Sequence, residues 1–187
     1  VASAVHAPQD RTVSLLGPAV IVFATVLAME AMAYAVHRWI MHGPLGWGWH
    51  KSHHEERHSA FEKNDLYAVV FGAVSILLFA LGGRWWPWLW WIAVGMSVYG
   101  VIYFVVHDGL VHQRWPFRYV PRRGYFRRLY QAHRLHHAVE GRDGCVSFGF
   151  VYAPPVEDLK ARLKASGVLA RRQSRHRDAW RPDRHET

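Results

Sequence analysis

Leu15-Leu-Gly-Pro-Ala-Val-Ile-Val-Phe-Ala-Thr-Val-Leu-Ala-Met-Glu-Ala-Met-Ala-Tyr-Ala-Val36 runs for 22 residues with a single charge, Glu30, and leads directly into His37-Arg-Trp-Ile-Met-His42. About 20 apolar residues in a helix cross the hydrocarbon core of a bilayer. A cleaved signal sequence has a shorter apolar core of about 7–15 residues, so the stretch reads as a retained transmembrane helix. Two more apolar runs follow, Leu66 to Leu81 and Trp88 to Val106, separated by Gly82-Gly-Arg-Trp-Trp-Pro87. Glycine and proline punctuate that joint as a tight turn, and its tryptophans suit an interfacial aromatic belt. The two runs read as an antiparallel hairpin whose first arm is short, implying a thin or tilted span. The fold class expected is all-α, an integral membrane protein with about three transmembrane helices and a histidine-rich helical cap on one side.

The 187 residues suffice for one domain. That domain is expected over 1–170, with Val156, Leu159, Leu163 and Val168 marking a short amphipathic helix from Val156 to Leu169. Gly144 to Phe150 reads as a loop packed against the membrane surface. The polar, arginine-rich 171–187 reads as a disordered tail. A single cysteine, Cys145, excludes an internal disulfide and a cysteine-rich zinc finger. The net charge is +9, and 17 of the 23 Lys and Arg lie from Arg114 onward. Basic charge alone fits nucleic acid or anionic lipid; the apolar runs decide for membrane lipids and against nucleic acid. The segment Arg114 to Arg134 carries seven arginines and no acidic residue, which makes it cytoplasmic by the positive-inside rule. Three spans then put the N-terminus and the Trp85-Trp86 turn outside and every histidine cluster on the cytoplasmic side.

Ten of the fourteen histidines fall in four clusters: His37 and His42; His50, His53 and His54; His107 and His112; His133, His136 and His137. The spacing HX4H, HX2HH thus occurs twice. Neutral imidazole is the commonest protein metal ligand, and ten exceed what one ion needs, so two ions in a nitrogen-rich cage are expected. Residues three and four apart share a helix face, so each triplet reads as a half-cage pointing one way. His37 and His42 stand about 140° apart on a straight helix. Either they reach different metals or the helix distorts at its end, and the same alternatives hold for His107 and His112 around Gly109. His6, His176 and His185 read as ordinary histidines. His58, four after His54 but outside the repeated pattern, is left out of the cage.

A hydrolytic two-metal site usually wants bridging carboxylates. Here the acids lie only nearby, which favours oxygen activation. Asp108, Asp65 and Glu30 are candidates for accepting the second ring N–H of a ligand histidine. Glu30, an ionisable residue within a span, is a functional candidate by position, its plainer role being a hydrogen bond to a neighbouring helix. Asp108 points about 100° from His107 on a helix, so it is expected to hold an imidazole of the adjoining motif.

The stretches His37-Arg-Trp-Ile-Met-His42, Phe61-Glu-Lys-Asn-Asp-Leu-Tyr-Ala-Val-Val-Phe71, His107-Asp-Gly-Leu-Val-His-Gln-Arg-Trp-Pro-Phe117, His133-Arg-Leu-His-His-Ala138 and Gly144-Cys-Val-Ser-Phe-Gly-Phe-Val-Tyr-Ala-Pro-Pro155 closely resemble the bacterial β-carotene 3-hydroxylases. These belong to the fatty acid hydroxylase/sterol desaturase superfamily of membrane di-iron proteins. The resemblance covers about Leu15 to Pro155. It implies hydroxylation of carbon 3 of carotenoid β-ionone rings, taking β-carotene through β-cryptoxanthin to zeaxanthin with dioxygen and two iron ions on the ten motif histidines. Zinc, which binds imidazole strongly, can replace iron in a purified sample. The chain lacks a Rossmann or flavin fingerprint, so electrons are expected from ferredoxin or a similar donor. The basic Arg114–Arg134 face suits either docking of that donor or headgroup binding. The location implied is the bacterial inner membrane. The alternatives are a carotenoid ketolase or lipid desaturase on the same scaffold, and a non-catalytic membrane protein binding metal or haem.

Overall fold

Three long apolar helices set the architecture in the computed structural model, which describes residues 15–55, 59–116, 118–168 and 170. In chain order the helices are α1 (Leu16–Ala35), α2 (Trp47–His54), α3 (Asp65–Arg84), α4 (Pro87–Tyr103), α5 (Gly124–His136) and α6 (Val156–Ala165). Two of them continue unbroken as wider π-helical turns, α1 through Val36–Met41 and α4 through Phe104–Val111. Leu16–Met41, Asp65–Arg84 and Pro87–Val111 are each long and apolar enough to cross a membrane. Their outward side chains, Phe23, Leu27, Val69, Ile76 and Val101 among them, are exposed apolar groups. Helices apolar on the outside as well as the inside need lipid around them. The all-α, three-span integral membrane architecture read from the sequence is the one found.

The hairpin joint is tighter than the sequence reading had it. Gly82, Gly83 and Arg84 stay helical, leaving Trp85 and Trp86 as the joint, and Pro87 occupies the first position of α4. Proline is at home there because its missing N–H has no intrahelical partner to lose. With 20 residues, α3 is about 30 Å long, a full bilayer core. The thin span expected from Leu66–Leu81 came from ending the run at Leu81.

α4 packs between α1 and α3. Ser75 and Ser97 both donate to the Ala93 carbonyl, at 3.2 and 2.9 Å, tying α3 to α4. Gly95 lets α1 come close: a Cβ there would lie 2.6 Å from Thr25 Cβ and 3.0 Å from the Val22 carbonyl oxygen. Small residues at such crossings let membrane helices reach van der Waals contact.

The cap sits at the end of the bundle where α1 and α4 finish and α3 begins. Its core joins Val106 of the α4 extension to Leu129 and Ala132 of α5, to Val139, Val146 and Ala153 of the following loop, and to Leu159 and Leu163 of α6. α6 ends at Ala165, ahead of a turn in which Gly167 takes a φ of +65°. It is therefore shorter than the expected Val156–Leu169; Val168 still packs on the cap core, and Leu169 lies outside the described residues. The 171–187 tail and the histidines at 6, 58, 176 and 185 also lie outside them.

The Gly95 crossing yields a test with an internal control. Gly95→Ala is expected to cost about 1–3 kcal/mol through overpacking and to lower the thermal unfolding midpoint in detergent. Gly100, one turn on with open space at its Cβ position, should accept alanine with no loss. Equal midpoints for the two variants would show that α1 and α4 do not pack through Gly95.

Candidate metal centre

The two HX4H pairs are shaped by the π-turns. His42 N–H donates to the His37 carbonyl at 3.0 Å, and His112 N–H to the His107 carbonyl at 2.9 Å. An i→i+5 bond takes five residues around a single turn, so each pair returns to one side of its helix. The ring centroids lie 5.3 Å apart for His37 and His42 and 4.4 Å for His107 and His112. The helix distortion allowed by the sequence reading is what occurs.

The triplets behave differently from expectation. On α2 and α5 the i,i+4 members stay together, but the i,i+3 member turns to the other side. His37, His42, His50 and His136 bring their ligand nitrogens within 4.8 Å of one another, and His53, His107, His112 and His133 form a second such set. His54 joins the first through His50, at 3.3 Å, and His137 the second through His133, at 2.9 Å. The result is two clusters of five, each drawing on one HX4H pair and on both triplets. The half-cage reading fails because His53 stands about 60° from His50 and 100° from His54 around the axis.

Seven of the ten rings have Nδ1 against an oxygen: His37 on Phe148 O (2.8 Å), His42 on Arg142 O (2.8 Å), His54 on Val139 O (2.9 Å), His136 on Val146 O (2.9 Å), His50 on Asn64 Oδ1 (2.7 Å), His53 on Glu62 Oε2 (2.8 Å) and His107 on Asp108 Oδ1 (2.8 Å). Each such ring carries its proton on Nδ1 and turns a bare Nε2 lone pair inward. Within the clusters, Nε2 atoms face each other at 2.9–3.3 Å. Two bare lone pairs at that distance repel. Two nitrogens bound at right angles to one ion, each about 2.1 Å from it, lie about 3.0 Å apart, so the spacing fits a shared cation. Burial pushes the His50 and His54 imidazoles down to about 3 and about 4. Burial first, then neighbouring imidazoles, holds His53, His112, His133, His136 and His137 well below the ordinary histidine range. Neutral nitrogen donors of this kind suit iron, zinc or copper.

Of the three acids, Asp108 accepts a ring N–H as expected, Glu30 takes its plainer role by bonding a neighbouring helix, and Asp65 touches no ring. Asp108 holds His107, its own neighbour, rather than an imidazole of another motif. Asp65 reaches the site indirectly: its two oxygens accept from the Arg114 guanidinium at 2.9 and 2.8 Å and one also accepts the Glu62 N–H at 2.9 Å, while Arg114 lies 3.5 Å from Asp108. Arg114 is therefore held inside the cap, and the exposed basic face consists of Arg118, Arg122, Arg123, Arg127, Arg128 and Arg134. Glu30 accepts three successive backbone N–H groups, of Phe150, Val151 and Tyr152, at 2.9–3.1 Å, and the Tyr99 hydroxyl at 2.6 Å. It anchors the 144–152 loop, which lies on the histidines and supplies the Val146 and Phe148 carbonyls. Ser147, between those two, adopts a φ of +61°, which turns them toward different rings. At Gly149 a Cβ would fall 2.8 Å from Glu30 Oε1, so only glycine admits the carboxylate. Cys145 sits beside His42, His54 and His136. Burial raises its thiol to about 12, and its S–H points to the Gly141 carbonyl.

Asn64 and Glu62 were missed in the sequence. Their signal was the Phe61-Glu-Lys-Asn-Asp stretch, polar residues leading into an apolar helix within reach of the α2 histidines.

The Glu30 anchor predicts a selective loss. Glu30→Ala should release the loop carbonyls from His37 and His136 and weaken metal binding about 10–100-fold, the usual cost of losing an outer partner. Metal retained against a graded chelator measures it; wild-type retention would show that the loop holds without Glu30.

The fatty acid hydroxylase family model matches residues 22–154. The β-carotene hydroxylase of Paracoccus sp. (strain PC1) is 77% identical over 149 residues, spanning 80% of this chain and 92% of its own. That of Pantoea ananas is 65% identical over 147 residues, 78% of this chain and 83% of its own. The chloroplastic β-carotene 3-hydroxylase 2 of Arabidopsis thaliana is 32% identical over 169 residues, 88% of this chain and 55% of its own. No solved structure matches the chain. The matched region takes in both histidine clusters and the loop that orients them, and the chain belongs to the fatty acid hydroxylase family, among the bacterial β-carotene hydroxylases.

Proposed function

We propose that this chain hydroxylates carbon 3 of carotenoid β-ionone rings, converting β-carotene through β-cryptoxanthin to zeaxanthin, at a di-iron centre on His37, His42, His50, His54 and His136 and on His53, His107, His112, His133 and His137. The observation that carries the reading is an apolar cavity of about 450 Å³ inside the membrane bundle, separated from these two all-nitrogen clusters by Tyr103, Asp108 and Phe150. Met29, Ala33, Phe71, Phe79 and Met96 line its walls, and Tyr103, Asp108 and Phe150 its head. A carotenoid is long and apolar, and this cavity takes one ring from the bilayer side while its chain stays among the helices. Two bound irons supply dioxygen activation, so that a ring C–H becomes C–OH as the second oxygen atom leaves as water with two electrons and two protons.

The protein's own part is orientation and exclusion. Phe150 stacks on His37 at 5.2 Å and meets His107 edge-on at 5.0 Å, placing an apolar ring between the cavity and the clusters. A second, polar opening of about 300 Å³, lined by His53, Glu62, His112, Gln113 and Arg114 among others, gives water, protons and dioxygen a separate approach. The exposed arginines of 118–134 suit an acidic electron donor such as ferredoxin, and by the positive-inside rule they support a cytoplasmic side of the inner membrane for the clusters.

Purified protein is expected to hold near two irons per chain and to convert β-carotene to zeaxanthin when supplied with reduced ferredoxin. Alanine at any of the ten histidines should abolish conversion, and full activity in His53→Ala or His136→Ala would sink the cage. A ketone or a new double bond as product points to the ketolase or desaturase alternative, and a Soret band to haem.

Membrane orientation is tested separately. A cysteine placed at Gly83 should react with an impermeant reagent from outside intact cells, and one at Arg123 should not. The reverse pattern would invert the topology.

A further inference from the structure

A groove of about 890 Å³ runs between α1, the 144–155 loop and α6, and it shares no lining residue with the apolar cavity. α1 and its extension contribute Leu27, Ala31, Tyr34 and Arg38, a spacing that keeps them on one helix face. From Leu27 to Arg38 is about 16 Å along the helix, close to the hydrocarbon depth of one leaflet, half of about 30 Å. The Leu27 end is apolar and open to lipid. At the other end Trp39, also exposed, is of the residue type that settles at headgroup level. Glu30 lines the groove too, but the loop N–H groups and Tyr99 already meet its charge. The remaining charged residues are Arg38, and Asp158 and Arg162 one turn apart on α6. Arg38 is held in place: it donates to the Tyr34 hydroxyl at 2.8 Å, and its guanidinium lies 5.6 Å from the Phe148 ring centroid. Among the described residues none of these three has an ion-pair partner.

We propose that this groove binds one phospholipid whose headgroup carries a phosphate and an ammonium: the phosphate on Arg38 and Arg162, the ammonium on Asp158, and an acyl chain along Ala31 and Leu27. Guanidinium groups present paired donors that match phosphate oxygens. A headgroup with phosphate alone would set its charge against Asp158, whereas an ammonium meets that carboxylate. The depth of the α1 stripe suits a chain that descends through a single leaflet, and the charged residues lie where that leaflet ends. The same groove is walled by Val146 and Phe148, whose carbonyls hold His136 and His37. A lipid seated there therefore braces the loop that orients the first histidine cluster.

The full chain, purified in detergent and stripped of bound lipid, is titrated with phosphatidylethanolamine or phosphatidylglycerol of the same acyl chains and followed by native mass spectrometry. One tight ethanolamine-lipid adduct per chain is expected, with the glycerol lipid binding several-fold more weakly. Arg38→Gln and Arg162→Gln should each weaken that adduct about tenfold, the scale of one hydrogen bond to a charged group. Lys160→Gln, on α6 but outside the groove and paired with Glu157, should leave it unchanged. Asp158→Asn should erase the preference between the two headgroups. All four positions are exposed, so these variants keep the fold. Equal binding by the Arg38, Arg162 and Lys160 variants would identify belt lipid only and overturn the site. Saturable binding of inorganic phosphate without a lipid adduct would mark a free-anion site and overturn it as well. Glycerol lipid bound as tightly as ethanolamine lipid in the wild type overturns the headgroup assignment.

Discussion

Ten imidazoles packed with their inward nitrogens about 3 Å apart, seven of them fixed with a bare lone pair inward, make a repulsive centre until cations sit between them, and much of this fold is arranged around that constraint. Lone pairs can be held in such opposition only if each ring is fixed from behind. The fixing groups are four backbone carbonyls of the 139–148 region, the Asn64 amide and two carboxylates, Glu62 and Asp108. Each takes the Nδ1 proton and so settles which nitrogen points inward. Burial adds to this by keeping the imidazoles unprotonated.

The membrane supplies the other half of the design. α1 and α4 end in widened turns at the same height, and α2 and α5 close over them, so the polar clusters lie where the apolar bundle stops. Glu30 joins the two parts. It lies within a span, yet its charge is met by three backbone donors and a phenol, which removes the cost of an isolated carboxylate in an apolar setting. The loop it anchors carries Phe150 to the boundary between the cavity and the histidine clusters, so one half-buried carboxylate positions both an aromatic partition and two imidazole partners.

Much of this was legible in the sequence because it rests on local periodicity. Apolar runs of bilayer length gave the three spans, and repeated histidine spacing gave all ten members of the clusters. Where the reading failed, the failure was one of direction. Spacing says which residues share a helix face but not which of two centres that face divides between, so His53 was grouped with His50 and His54. A π-turn is a departure from regular helix, and no propensity in His37–His42 or His107–His112 announces it.

Local pattern along the chain suffices for the class of the protein: helices apolar all round belong in lipid, and ten clustered imidazoles suit metal. Long-range contacts settle which five histidines cluster together, which oxygen orients seven of the rings, and what the three acids do. Those outcomes depend on contacts between residues such as His37 and Phe148, 111 positions apart, or Glu30 and Val151, 121 apart. No local pattern encodes such a pairing, because the partner's contribution is a backbone carbonyl or N–H that every residue possesses and only the folded path of the chain brings into place.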